Sequence, residues 1–362
     1  MLNIMKLTLL SGLLCLTSIV ADAQQTKILT ADKHNEYGLV YSLPLTALRI
    51  EVTASRTVSK AGPYYQYAGK YLGTDKVIKS DSEVWSITEV KITPYGVPDR
   101  ENSYLMQLKP GATTFIGVDS DGMLLSINAE PEKSSRVAPE VRKTPGEPVF
   151  NDKEYLQYVN EDFIASQSSA KRAQMLAENL MEIRDARIAL TRGTAETMPT
   201  DGRQLELMLQ SLGHQETSMT QAFTGYVYTD TLTRTYTYLP EDEGTTTLFR
   251  MSDFAGLVDS DDYSGVPVTL SVDMLSEGVL PADAKGEEKK YPKDGVAYCI
   301  PGMARIRLSV ADKKLWEGEM EMSQFGVVFG LNPALFSSKK EQSYAIFDAA
   351  TGALKEIGNV GQ

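Results

Sequence analysis

Histidine and cysteine are nearly missing from this chain, with two of each in 362 residues. A multi-histidine zinc centre and the HExxH pattern are therefore excluded, since both need several imidazoles converging on one ion. A Ser-His-Asp triad would have to use His34, in a polar N-terminal arm, or His214, inside a helical pattern; neither placement suits a triad. GxSxG, Walker and GxGxxG motifs are absent as well, which removes the sequence signals of α/β-hydrolases, P-loop proteins and dinucleotide binders.

Long apolar runs are missing beyond the N-terminus. Lys6 precedes "LTLLSGLLCLTSIV", a run of signal-peptide length, and "ADA" at Ala21–Ala23 supplies small residues before Gln24. This pattern predicts a signal peptide over 1–23 and an exported protein. The run falls short of the ~20 apolar residues of a spanning helix, and no later segment approaches that length. No transmembrane segment is expected in the mature chain. Cys15 follows Leu13 and Leu14, where a lipoprotein signal would carry small residues, so lipid anchoring there is not expected. Removal of Cys15 leaves Cys299 without a disulfide partner in the mature chain. Flanked by Tyr298 and Ile300 in a strand-like run, Cys299 reads as a buried small hydrophobe.

Positive charge is scarce too. Lys and Arg number 36 against 48 Asp and Glu, a formal net charge of −12. Nucleic acid and anionic lipid both need basic footprints, so neither is an expected partner.

What is present is patterned as α+β, with two mainly antiparallel β-rich modules bracketing an antiparallel helical hairpin. The predicted divisions are a β-rich N-terminal region with a short Tyr-rich helix over 24–128, an exposed linker over 129–150, the helical hairpin over 151–224 and a β-rich C-terminal region over 225–362. "LRIEVTA" alternates Leu48, Ile50 and Val52 with Arg49 and Glu51, as a half-buried strand does. Asp121-Gly122 between two apolar runs signals a hairpin. Leu176, Leu180 and Ile183, then Leu205, Met208 and Leu212, keep helical steps, predicting helices over 168–191 and 202–223 with Asp201 as the second N-cap. "LWEGEMEM" sets Trp316, Gly318, Met320 and Met322 on one face and Glu317, Glu319 and Glu321 on the other. "GLVYSLPLTALRIEV" from Gly38 is echoed by "GVAYCIPGMARIRLSV" from Gly295, as in a duplication, and Pro44 and Pro301 should each mark an edge or a strand break.

Two clusters are candidate binding sites. "GPYYQYAGKYLG" carries Tyr64, Tyr65, Tyr67 and Tyr71. At about 100° per residue, Tyr64, Tyr67 and Tyr71 share one helical face, Pro63 suits the first turn and Gly73 the C-terminal cap. Such a helix covers a core with its rings or offers them to a carbohydrate. Asp259, Asp261 and Asp262 in "VDSDDYSG" form an oxygen-rich loop of the kind that holds Ca²⁺, without EF-hand spacing; a solvated turn is the competing reading. Ser168 with Lys171 and Ser337 with Lys340 match SxxK, but polar neighbours argue against the buried lysine that such chemistry needs. The 48 acidic residues offer no spacing that singles out a glycosidase pair.

The segments "YSLPLTALRIEV", "GPYYQYAGKYLG", "GVPD" at Gly96–Asp99 and "DGMLLSIN" at Asp121–Asn128 resemble an uncharacterised family of exported Bacteroidota proteins, domain of unknown function 4831. The resemblance implies the periplasm or outer cell surface of a Gram-negative bacterium and brings no activity, cofactor or catalytic residue. The expected function is a non-enzymatic binding or assembly module of the cell envelope, with protein or glycan as partner. A carboxylate-dependent hydrolase of glycan or peptide is the alternative.

Overall fold

The computed structural model describes residues 25–28, 38–107, 115–131, 153–292, 294–337 and 342–360. The signal-peptide segment with Cys15, His34, most of the expected linker and Lys340 lie outside them. In chain order come β1 (Gln25–Ile28), β2 (Leu39–Lys60), a 3-10 turn (Tyr65–Tyr67) leading into α1 (Ala68–Leu72), β3 (Ser82–Gln107), β4 (Ile116–Val118) and β5 (Leu124–Ile127). A second 3-10 turn (Glu154–Tyr158), α2 (Glu161–Ala165), α3 (Ser169–Arg192) and α4 (Gly202–Thr224) form the helical part. Then follow β6 (Tyr226–Tyr238), β7 (Gly244–Ser252), β8 (Gly256–Val258), β9 (Val266–Ser276), β10 (Val296–Val310) and β11 (Lys313–Leu331). The chain finishes with α5 (Ala334–Ser337), β12 (Ser343–Phe347) and β13 (Leu354–Asn359).

These strands build three sheets, ordered β1-β3-β2-β6, β11-β10-β9-β7-β8 and β13-β12-β5-β4, with antiparallel neighbours throughout. The class is α+β, as the patterning requires. The alternating faces are where they were read: Leu48, Ile50 and Val52 are buried, and Glu317 and Glu319 face outward to Arg307 and Arg305 across the β10/β11 pair. Asp121-Gly122 turns β4 into β5, with Gly122 at φ +84° and the Asp119 carboxylate accepting from Asp121 N and Met123 N.

The sheets draw strands from both sides of the helical hairpin. β6, on the C-terminal side of the helical hairpin, pairs along its whole length with β2. β5, from the N-terminal side, pairs with β12 through Ala345↔Ile127. Each sheet side chain chooses its partner by burial, and a periodic pattern carries no information about which remote strand will supply the backbone groups.

Three cores result. The first lies between the two larger sheets, where Leu48, Ile50 and Val52 meet Phe249, Val268, Leu270, Ile306 and Leu308. The second joins Tyr41, Met106, Ile127, Val296, Phe336 and Phe347 around the smallest sheet. β2 and β10 each run from the second core into the first, and each is irregular at its proline: the register shifts between Ser42 and Pro44 and between Ile300 and Gly302. Thus both echoed segments cross from one core to the other, each with its proline at the crossing.

The third core belongs to the helices. Leu176 and Leu180 of α3 and Met219 and Phe223 of α4 close around Tyr64, Tyr155 and Phe163. The helices match their predicted spans within about a residue, the ordinary uncertainty of helix ends. Asp201 stands at the N-cap of α4 but makes no side-chain capping bond; Ser168 caps α3, its Oγ accepting from Lys171 N at 3.4 Å. That first SxxK pair is therefore an exposed helix start.

Cys299 is buried in β10, its backbone N–H given to Gly352 O at 3.0 Å, and burial, with a smaller contribution from Glu321, pushes its thiol up to about 12. At mildly alkaline pH the thiolate population is negligible. We expect Cys299 to resist a thiol-specific reagent in the native protein and to react promptly in denaturant, read by peptide mass spectrometry. Fast labelling without denaturant would contradict the burial. Truncating Tyr64→Ala should lower unfolding free energy by about 3–5 kcal/mol, the range for a fully packed aromatic ring, against about 0.5 kcal/mol or less for exposed Gln66→Ala. Denaturant unfolding of both variants checks the contrast.

Candidate functional site

The segment from Gly62 to Gly73 forms the expected helical turn and ends on Gly73 at φ +66°. Its rings face the helical hairpin, whereas a helix lying among strands was expected. Tyr64 is buried and meets Tyr155, Phe163 and Phe223 at centroid separations of 6.1, 6.3 and 5.9 Å. Tyr67 and Tyr71 pack half-buried on the same core, and Tyr65 lies at the rim with its hydroxyl accepting from Gln66. The amphipathic pattern was legible; which apolar surface it meets was not, because any apolar surface satisfies it.

The segment's first residues do line a cleft. Glycine makes the close approach possible: a Cβ on Gly62 would stand 2.5 Å from Ala222 O, and one on Gly225, at φ +76°, 2.3 Å from Lys60 O. These contacts bring the end of β2, the end of α4 and the start of β6 together. They also satisfy carbonyls that a helix C-terminus leaves open, since Tyr64 N donates to Ala222 O and Ile78 N to Thr224 O, both at 2.9 Å.

Beside this joint is a cavity of about 250 Å³. Lys60, Asp81, Lys153, Tyr155, Ser218 and Tyr226 contribute to its wall. Lys60 Nζ and an Asp81 oxygen are 2.8 Å apart, and the other Asp81 oxygen accepts from Ala61 N at 2.9 Å. The hydrogen bond from Lys60 holds the Asp81 carboxyl below its ordinary value, and the bond to Asp81 raises the lysine above its own. Both partners stay charged at neutral pH. Such a pair presents fixed charge to a ligand and is poorly matched to proton transfer near pH 7. None of the four tyrosines singled out by sequence lines this cavity; Tyr155 and Tyr226 do. The Gly before Pro63 and the Gly after α4 were the available signals, but their meaning depends on a contact between remote segments.

The acidic loop is held by arginines of the neighbouring strands. Arg250 donates from Nε to Ser260 O at 2.9 Å and from Nη1 to Gly265 O at 3.2 Å, and its guanidinium lies 4.6 Å from the Tyr263 ring centre. Asp262 Oδ1 accepts from Ser264 N, and Asp259 Oδ1 lies 3.5 Å from Arg234. Asp261 is exposed in the same turn. Among the described residues no three His, Cys, Asp or Glu side chains come together as a metal-ligating set. A more open concavity of about 500 Å³ is edged by Asp242, Glu243 and Glu277, all exposed, with Glu243 Oε1 accepting from Met274 N at 2.6 Å.

No helix among the described residues is long and apolar enough to cross a membrane. No curated protein and no solved structure matches the chain significantly. A family model does match it, over residues 37–355, which takes in the joint, the cavity and all three sheets except β1 and most of β13. The chain therefore belongs to the family described as Domain of unknown function (DUF4831).

Proposed function

We propose that the protein is an exported, non-enzymatic binding module of the cell envelope, and that the cavity at the joint takes a carboxylate-bearing group of a glycan or peptide. The observation that carries this reading is the Lys60–Asp81 pair: the cavity's one carboxylate is already neutralised, while Lys153 adds a second cation to the wall. Around these charges stand the hydroxyl-bearing residues Tyr155, Ser218 and Tyr226. A fixed cationic wall with hydroxyl groups suits recognition of an anionic polar ligand. The opposing reading, hydrolysis by paired carboxylates, finds its acidic residues at the open concavity, where Asp242, Glu243 and Glu277 are exposed and Glu243 is engaged by backbone. A general-acid carboxyl is instead withdrawn from water.

Export is supported by the charged, apolar and small-residue order of the first 23 positions, and periplasmic or surface placement by the family resemblance. N-terminal sequencing of the protein from fractionated cells should find Gln24 first, in the envelope fraction. For the ligand, titration calorimetry with uronic-acid oligosaccharides and acidic peptides should show binding that Lys60→Ala, Lys153→Ala double substitution weakens tenfold or more, since one charge-assisted bond contributes about 1.5–3 kcal/mol. Turnover of either substrate that is lost on Glu243→Gln or Glu277→Gln would overturn the binding reading in favour of a hydrolase.

A further inference from the structure

β6 ends its sheet, and its sequence reads almost the same in both directions. From Tyr226 to Tyr238 the order is Tyr-Val-Tyr-Thr-Asp-Thr-Leu-Thr-Arg-Thr-Tyr-Thr-Tyr. About Leu232, threonine answers threonine at 231/233 and 229/235, and tyrosine answers tyrosine at 228/236 and 226/238. The departures are Val227 against Thr237 and, more informatively, Asp230 against Arg234. We propose that β6 pairs antiparallel with β6 of a second copy of this chain, about a twofold axis at Leu232.

The edge has the form that such pairing requires. All thirteen residues of β6 run against β2 from Leu48↔Tyr238 to Lys60↔Tyr226 without a register shift. An unbulged strand with neither proline nor lysine offers a regular row of backbone groups on its outer side. The other long edge strand, β11, is guarded: it carries Lys313, Lys314 and three alternating glutamates, and its pairing with β10 is twice displaced. The remaining edge strands are short, with four residues in β1, three in β4, three in β8 and six in β13, and the outer side of β3 that β1 leaves open carries Lys91, Pro94 and Pro98. β6 alone among the described strands is long, regular and left at an edge without those devices.

The second copy fits as occupant because of how the strand is written. Antiparallel pairing of identical strands about Leu232 sets each residue opposite its mirror position, so threonines face threonines and tyrosines face tyrosines, pairs that stabilise a sheet. Identity would be harmful at a charged position, and there the sign inverts: Asp230 meets Arg234 of the second copy, twice. Asp230 already receives Arg56 at 2.7 Å and Arg234 lies near Asp259, so the pairing extends these into rows of alternating sign. Moving the axis to Thr231 would put Asp230 against Leu232, and moving it to Thr233 would put Asp230 against Tyr236. One register keeps every match, as an isologous interface demands. This inference does not depend on the cavity binding a ligand.

Sedimentation of the purified protein from low to high micromolar concentration should give twice the chain mass. Thr231→Lys with Thr233→Lys sets ammonium groups against each other on both sides of the axis and should raise the dissociation constant tenfold or more. Thr231→Lys with Thr233→Glu, altering the same positions, should restore the dimer and so separates a charge clash from a folding defect. As a register check, chains carrying Thr231→Cys and chains carrying Thr233→Cys should cross-link readily when mixed under mild oxidation, and poorly when either is alone. A monomeric wild type, a dimer that survives the paired lysines, a failure of the Glu variant to restore it, or cross-linking independent of mixing would each overturn the proposal. A monomer with a protected β6 edge would assign that edge to another occupant.

Discussion

The three sheets are held to one another by a knot of polar groups around Thr46, a residue with no exposed surface. Its N–H reaches Ser323 Oγ at 3.0 Å and Gln324 Oε1 at 3.1 Å, its Oγ1 accepts from Ser323 N at 3.1 Å and lies 3.0 Å from Ala350 O, and its carbonyl accepts from Gln324 Nε2 at 2.7 Å. Thr46 lies on β2, Ser323 and Gln324 on β11, and Ala350 in the turn between β12 and β13, so the knot reaches all three sheets. Two strands shift register here, at Pro44 and Pro301, and Thr46 lies beyond the last β6 pairing, Leu48↔Tyr238, so its backbone groups on that side have no ladder partner. Burying such groups unpaired costs about 1–3 kcal/mol each. The side chains of Thr46, Ser323 and Gln324 replace the lost ladder, and the continuity of β2 and β10 through two cores depends on that replacement.

Local chemistry explains what the sequence made legible. The stripe through Leu176, Leu180 and Ile183, the turn at Asp121-Gly122, the faces of Trp316–Met322 and the helical character around Tyr67 each rest on residues a few positions apart. The assignment of β6 to the N-terminal sheet rests on residues such as Arg56 and Asp230, which meet across 174 positions of chain. No period reveals that. The turn Glu154–Tyr158 and α2 were also missed, although Asn160 caps α2 by accepting from Phe163 N at 3.0 Å, since elements this short carry less than one full amphipathic repeat.

The candidate site was the least legible part for the same reason. Four tyrosines drew attention because aromatic rings are conspicuous in one dimension, yet the fold consumes Tyr64 in packing and uses the neighbouring Gly62 to shape a cavity. The groups that give the cavity its charge, Lys60, Asp81 and Lys153, are unremarkable in sequence and come from three separate segments. In the acidic loop, likewise, the determining residue is Arg250, outside the cluster, which arranges the turn through two carbonyls.

The return of β6 to β2 also sets an order of events. β2 and β3 are complete when the chain has reached residue 107, but the other side of β2 has no partner until the helical hairpin and the joint at Gly225 have formed. Pairings this remote in sequence form slowly, because loop closure must precede any gain from contact. Throughout that interval an apolar strand with an open edge is exposed to its neighbours. The hairpin is thus more than an insertion between strands: it sets how much chain must close before the second side of β2 is covered.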